Sequence, residues 1–386
     1  LTSVEALAES APVRKLLNMV LLLAIRDGAS DIHFEPFESE FRIRIKSEGV
    51  LQEMVPPPKH LSFAITTRIK VMANLDIAER RLPQDGRMRM RVSGKDVDLR
   101  VSFLPVVHGE KCVLRVLDKS NLTASIDKLG LDPDSFKRFK SAVDAPHGLL
   151  LVTGPTGSGK TTTLYSALNE LNNPDYNIVT VEDPVEFQIP GINQVPVKKE
   201  IGLTFAAALR SILRQDPDII MLGEIRDEET AEIAVEAALT GHLVLATMHT
   251  NNALQAVTRL VEIGVEPFLV APSIIGVMAQ RLVRKVCEHC KTPYPAPPEI
   301  LERLFDWDGH TEVTLYRGAG CEDCNHSGFL GRIAIHEVFI ITDEMRGLIA
   351  RNASILDVQD CAHRHGFRTM HYDGVKKVLR GLTTID

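Results

Sequence analysis

The stretch Gly154-Pro-Thr-Gly-Ser-Gly159-Lys160-Thr161 constrains the fold most, because its residues work only between a strand and a helix. It matches G-x-x-x-x-G-K-[ST] at every fixed position. The apolar run Leu149–Val152 leads into it as a buried strand would, and Thr162 to Glu170 continues with helical character. Glycines let backbone N–H groups curl around a phosphate without Cβ interference. The helix N-terminus adds its positive end, Lys160 reaches toward β/γ oxygens, and Thr161 offers a hydroxyl to Mg²⁺. The nucleotide-binding candidates are therefore Gly154, Pro155, Thr156, Gly157, Ser158, Gly159, Lys160, Thr161 and Thr162. A glycine-rich turn with a chance lysine would leave both flanking elements unaccounted for. The pattern predicts a bound nucleoside triphosphate, ATP, with Mg²⁺.

At 386 residues the chain is long enough for two or three domains. Apolar content of 44% and charged content of 25% are ordinary for a globular protein. No run approaches the roughly 20 consecutive apolar residues of a membrane span. The opening Leu1-Thr-Ser-Val-Glu has neither an initiator Met nor the basic-then-apolar layout of a signal peptide, so it reads as a piece of a longer protein. A net charge of -7 weighs against a nucleic-acid surface. Four of the six cysteines fall in C-x-x-C pairs, which suggests metal in a reducing cytosol over disulfides.

Residues 1–117 read as an α+β domain. Ala11 to Ile25 has helical spacing, and Ile32–Phe34, Phe41–Ile45, Met88–Val92, Val97–Phe103 and Lys111–Leu117 alternate or cluster as strands do. A polar linker is expected at 118–127. Residues 128–285 alternate strand and helix, which predicts an α/β parallel sheet covered on both faces. Its expected strands are Gly148–Thr153, Asn177–Glu182, Ile219–Gly223 and Leu243–Thr247. A cysteine-rich module spans 286–332, and 333–386 reads as short helices broken by Gly366 and Gly381.

Hydrolysis needs a group that orients water and charge that steadies the phosphoryl group. Asp216-Pro-Asp-Ile-Ile-Met-Leu-Gly-Glu224-Ile-Arg-Asp227 supplies an apolar strand ending in a carboxylate, with Gly223 where many P-loop enzymes carry a metal-holding Asp. Glu224 is the candidate for polarising water. Glu182, Asp183 and Glu186 crowd three carboxylates at another strand end, which is unfavourable without a cation or arginines nearby. A metal-and-water site accounts for them better than an acidic turn at Pro184. His242 and His249 bracket the strand Leu243–Thr247; either is a phosphate sensor or a structural histidine.

Cys287-x-x-Cys290 and Cys321-x-x-Cys324 can fill a tetrahedral S₄ shell, the arrangement Zn²⁺ prefers. With all four positions taken by sulfur, the metal is expected to be structural. The readings with free core thiols, or with His289 or His326 in place of a cysteine, fit the paired spacing less well.

Taken in order, several motifs resemble the secretion and pilus motor ATPases of type II secretion and type IV pilus assembly. They are Ala29-Ser-Asp31-Ile-His33-Phe-Glu35, Arg81-Leu-Pro-Gln-Asp85-Gly-Arg87, His108 to Arg115, the P-loop, Glu182 to Glu186, Leu209 to Asp218, Gly223 to Asp227 and Thr240 to Asn251. The resemblance covers nearly the whole chain. It implies a RecA-like P-loop domain after a smaller α+β (PAS-like) domain, in a homohexamer with nucleotide sites between the two. It names Glu182 and Glu186 as an aspartate box, Glu224 as general base, and His242 and His249 as a histidine box. It also implies that Arg100 and Arg115 reach the phosphates, with Arg210 a further candidate; the bare sequence reads them equally well as solvated charges.

Retraction motors of this family lack the tetracysteine module, so Cys287, Cys290, Cys321 and Cys324 point to an assembly or secretion motor. Arg81 to Arg87 and Asp118 to Asn121 look more like the pilus-assembly branch, and His336-Glu337 more like the secretion branch. The balance favours pilus assembly. The implied setting is the cytoplasmic face of a bacterial inner membrane, docked through an inner-membrane platform protein, with no direct nucleic acid and membrane contact only through partners.

Overall fold

The structure, a computed structural model, describes residues 4–47, 50–117 and 125–386. Residues 118–124 of the expected linker lie outside the described residues; Ile126–Leu129 forms a short 3₁₀ turn. The chain divides into two compact units, Leu1–Lys119 and Ser120–Asp386.

The first unit comprises α1 (Val4–Ala8), α2 (Ala11–Arg26), β1 (Asp31–Pro36), β2 (Phe41–Ser47), β3 (Val50–Glu53), α3 (Ser62–Met72), β4 (Gln84–Val92), β5 (Lys95–Val106) and β6 (Gly109–Leu117). Its strands form one antiparallel sheet in the order β3-β2-β1-β6-β5-β4. The two-residue alternation of β1, β2, β5 and β6 buries Ile32, Phe34, Ile43, Leu99, Val101 and Leu114 on one face, against Leu17 and Leu21 of α2 and Ile65 and Ile69 of α3. The opposite face carries charge. Across it, Lys46, Asp31, Arg115, Arg100 and Arg87 stand in direct register on five successive strands.

The second unit begins with α4 (Pro133–Val143), β7 (Gly148–Thr153), α5 (Lys160–Leu171), β8 (Ile178–Glu182), β9 (Asn193–Pro196), α6 (Phe205–Ile212), β10 (Ile219–Leu222), α7 (Glu228–Leu239) and β11 (Leu243–Met248). It continues with α8 (Ala253–Glu262), α9 (Pro267–Ser273), β12 (Ile274–Val286), β13 (Lys291–Pro295), α10 (Pro298–Leu304), β14 (Thr314–Gly318), β15 (Phe329–Ile340), α11 (Asp343–Ala350), α12 (Ile355–Arg364) and α13 (Met370–Leu379). A seven-stranded sheet runs β15-β12-β7-β11-β10-β8-β9, parallel except for the antiparallel β12–β15 pair.

The sheet is covered on both faces, which explains why its strands read as unbroken apolar runs. Leu149 and Leu151 of β7 enter the core on one face, together with Ile220, Leu222, Val244 and Ala246. Leu150 and Val152 enter the other, together with Ile219, Met221, Leu243 and Leu245. This α/β arrangement ends β7, β10 and β11 at the same edge, where ligands of open parallel sheets bind.

One sequence expectation changes. The region from 333 starts as a strand, since Ile333–Ile340 belong to β15, and only then turns helical. The strand was hidden because Arg332, His336 and Glu337 interrupt its apolar pattern. The interval between the C-x-x-C pairs holds both a β13–β14 antiparallel pair and the helix α10.

Candidate functional site

The loop between β7 and α5 is shaped by backbone that side chains resist. Gly159, at φ 88°, caps α5 in the left-handed region, and Gly157 sits at φ 80°. A Cβ at Gly154 would collide with the Gln280 carbonyl and the Ser158 hydroxyl. The Ser158 side chain is buried, and its Oγ has no hydrogen-bond partner. An orphaned donor inside a loop of this shape suits an anionic oxygen better than bare protein.

Lys160 Nζ donates to the carbonyls of Gly154 at 2.7 Å and Pro155 at 3.1 Å, and lies 3.2 Å from His249 Nδ1. Burial lowers its pKa, with Glu224 pulling the other way. The ammonium is thus parked on loop carbonyls, positioned for a more negative partner.

Glu224 follows β10, two residues beyond Leu222. His249 follows β11 immediately, and its Nε2 lies 2.7 Å from Glu224 Oε1. Arg226 Nη2 lies 2.6 Å from Glu224 Oε2. The carboxylate side chain is only 12% exposed, whereas Arg226 is 65% exposed. The imidazole of His249 therefore bridges the P-loop lysine and the carboxylate, one ring nitrogen to each. Thr153 ties the two loops together: its hydroxyl donates to the Met248 carbonyl at 3.0 Å and accepts from the Thr250 N–H at 2.9 Å. A cavity of about 320 Å³ opens against Glu224, Arg226, His249 and Arg259. A second, of about 750 Å³, lies beside Pro155, Thr156, His249 and Arg259.

The other expected residues make contacts of their own. Glu182 is 3% exposed, and both its oxygens are taken. Tyr165 donates to Oε1, while Thr180 at 2.7 Å and Gln194 at 3.0 Å donate to Oε2. Burial raises its pKa against these donors. The Tyr165 hydroxyl also accepts the Glu186 N–H at 3.2 Å. Protein donors therefore relieve part of the carboxylate crowding that the sequence left to a cation. His242 precedes β11 at the end opposite His249. Its Nδ1 lies 2.9 Å from the Ala237 carbonyl, beside the C-terminus of α7. A six-residue strand separates the two by about 20 Å, so His242 does not share the loop edge. Arg210 pairs with Glu229 across α6 and α7.

Arg100 and Arg115 belong to the first unit, directly opposite each other on β5 and β6, with Arg87 opposite Arg100 on β4. Arg115 lies 3.1 Å from Asp31. Like charges in direct register oppose sheet pairing, so this row of three arginines favours nearby negative charge, of which Asp31 beside Arg115 is one source. Arg87 closes the Arg81–Arg87 motif, but only strand register sets it beside Arg100, which no local spacing signals.

Gln280 was also missed. It is 2% exposed in β12, donates from Nε2 to the Ser158 carbonyl at 2.6 Å, and accepts from Thr163 Oγ1 at 2.5 Å. A glutamine inside the apolar run Val277-Met-Ala-Gln280 was the available signal, since buried amides need partners.

The four cysteines converge. Sγ–Sγ distances are 3.8 Å for Cys287–Cys321, 3.8 Å for Cys290–Cys324 and 3.7 Å for Cys321–Cys324. All four sulfurs lie within 4.8 Å of one another. A tetrahedron with Zn–S near 2.3 Å has S···S edges of about 3.8 Å. Burial works against ionisation of Cys324, yet N–H donors from Cys321 at 3.2 Å and Gly328 at 3.3 Å outweigh it and draw its thiol down to about 6. The set fits a thiolate-bound metal.

Residues 6–386 match the family described as Type II/IV secretion system protein. The chain is 52% identical over 382 residues to the type IV pilus assembly ATPase PilB of Myxococcus xanthus, covering 98% of this chain and 68% of that protein. It is also 52% identical over 385 residues to type II secretion system protein E of Xanthomonas campestris pv. campestris, covering 98% of this chain and 67% of that one. Among solved structures it is similar to the pilus retraction motor PilT with bound ADP: TM-score 0.69 and 27% identity, covering 95% of this chain and 94% of that one. With its P-loop, its Glu224–His249 pair and these matches along its length, the chain belongs to the Type II/IV secretion system protein family.

Proposed function

We propose that this chain is the catalytic core of a Mg²⁺-dependent motor ATPase that works as a homohexamer and drives type IV pilus assembly. The Lys160–His249–Glu224 chain of contacts carries the reading. It puts a phosphate-seeking cation and a candidate water-orienting carboxylate on either side of one imidazole. The loop from Gly154 to Thr162 would cradle the phosphates. Thr161 would hold Mg²⁺, whose charge would offset that of the β- and γ-oxygens. Glu224 would orient the attacking water, and Lys160 would exchange its carbonyl partners for phosphate oxygens. His249, touching both, would report the arrival of the γ-phosphate to Glu224. Glu182 and Glu186 would support the site through Tyr165. Arg100 and Arg115, with Arg87, would add positive charge against the triphosphate.

The module of residues 286–332 would be stapled by Zn²⁺ on Cys287, Cys290, Cys321 and Cys324, a cross-link and not a reaction centre. No helix among the described residues is long and apolar enough to cross a membrane. Docking on the inner membrane's cytoplasmic face would go through a platform protein and other assembly components.

Lys160→Ala should abolish nucleotide binding. Glu224→Gln should bind ATP with turnover lowered about 100-fold or more. Near-normal hydrolysis by Glu224→Gln would remove Glu224 as the water-orienting group. No affinity of the wild-type chain for adenine nucleotides with Mg²⁺ present would sink the motor reading altogether.

Type II secretion is a second reading with the same chemistry, supported by the equal identity to protein E. Rescue of piliation against rescue of exoprotein secretion in the corresponding deletion strains separates the two. A DNA translocase is disfavoured by the net charge of -7 and by an aromatic content of 5%. Steeply salt-dependent DNA binding near physiological ionic strength would revive it.

A further inference from the structure

We propose that Gln280 is a positioning residue that sets the phosphate-binding shape of the P-loop from outside it, which deepens the nucleotide-binding reading and rests on it. β12 runs parallel to β7 with Ala279 opposite Thr153, so Gln280 lies level with the start of the loop. Its backbone carbonyl occupies the space a Cβ would need at Gly154. Its side-chain nitrogen lies 2.9 Å from where a Cβ would stand at Gly159. Two of the loop's glycines thus leave room for this one residue.

The amide's orientation follows from its partners. Nε2 donates to the Ser158 carbonyl at 2.6 Å, and Oε1 accepts from the Thr163 hydroxyl at 2.5 Å. Thr163 lies on α5 and is itself 1% exposed, so the amide is anchored at both ends.

The consequence runs through one peptide plane. The Ser158–Gly159 bond is trans, Asp183–Pro184 being the cis bond among the described residues. In a trans peptide the C=O and N–H point in opposite directions. Holding the Ser158 carbonyl outward against Gln280 therefore turns the Gly159 N–H toward the hollow of the loop, where an anionic oxygen would sit. Without the amide donor, that carbonyl is free to turn inward and present negative charge to the phosphate.

The test compares wild type with Gln280→Met and Gln280→Glu, reading the Kd of a fluorescent ADP analogue, the steady-state KM and kcat for ATP, and thermal stability. Gln280→Met keeps the length and loses the donor; its Kd should rise about tenfold, and KM should rise by more than kcat falls. Gln280→Glu should bind poorly at pH 8 and regain affinity relative to wild type toward pH 6, because a protonated carboxyl restores an O–H donor for the Ser158 carbonyl while its other oxygen still accepts from Thr163. Wild-type Kd in a Gln280→Met protein of lowered melting temperature would overturn the proposal and leave Gln280 a packing residue. A Gln280→Glu affinity that tracks wild type at every pH would overturn it equally, and serves if Gln280→Met fails to fold. Absence of nucleotide binding in wild type would instead refute the underlying reading.

Discussion

His336 is a pH-dependent weak point of the second unit whose size can be worked out in advance. It is 2% exposed in β15, and neither ring nitrogen has a hydrogen-bond partner. Asp373 Oδ2 lies 4.0 Å from Nδ1, but that oxygen already accepts the His336 N–H at 2.8 Å and Lys377 Nζ at 2.9 Å. Burial, followed by the positive charge of Lys377, pulls the imidazole down from 6.5 to about 3, with Asp132 opposing weakly. A pKa lowered on folding means that stability is fully present above the unfolded value of 6.5 and lost as pH falls toward 3. At pH 5.5 the unfolded chain gains protonation free energy of about 1.4 kcal/mol that the folded chain does not share. For a unit of this size that is a shift of roughly 3–6 °C. Glu337, next in sequence, is raised by burial and acts in the opposite sense, so the wild-type curve alone is not diagnostic. The measurement is the difference between wild type and His336→Phe in thermal unfolding at pH 8 and pH 5.5. The wild type should lose about 1.4 kcal/mol more than the variant across that interval. Parallel pH dependences in the two proteins would show that the ring titrates normally in the fold and refute the reasoning.

Metal analysis of the purified chain should return about one zinc per chain, and Cys290→Ser should lose it together with cooperative unfolding of 286–332; a metal-free wild type would refute the S₄ site. Arg100→Gln should lower turnover about tenfold or more while the protein still unfolds cooperatively, since Arg100 is half-buried on a sheet face that carries several charges; an unchanged rate would leave Arg100 a structural charge of that sheet. Glu337→Ala should cost about 3 kcal/mol, because one buried carboxylate accepts the Ala253 N–H at 2.7 Å and the Met370 N–H at 2.9 Å, at the starts of α8 and α13. A loss under about 1 kcal/mol by chemical denaturation would mean that water replaces the carboxylate at both helix ends.

The features legible in the sequence were those whose physics is local. β7, β8, β10 and β11 were found because strands buried on both faces are continuous apolar runs, and the P-loop because its turn, glycines and lysine lie within eight residues. Glu224 was found from its place just past one of those strands. The helix α3 was missed because Thr66, Thr67 and Lys70 spoil its apolar face. Folding removes that conflict, with both threonines bonding back to the Phe63 carbonyl and Lys70 reaching the Glu79 carbonyl and Glu110. The same holds for β12 and β15. Gln280 meets Ser158 across 122 positions of chain, and Glu337 meets Ala253 across 84. In isolation each is a polar flaw in a strand; in the fold Gln280 holds a loop carbonyl, and Glu337 accepts N–H groups at the starts of two helices. Buried polar residues that break an apolar pattern therefore carry the long-range information that periodicity cannot. In this chain two of them stand at the joints between the sheet and the elements around its loop edge: Gln280 against the P-loop, and Glu337 against the helix that follows His249.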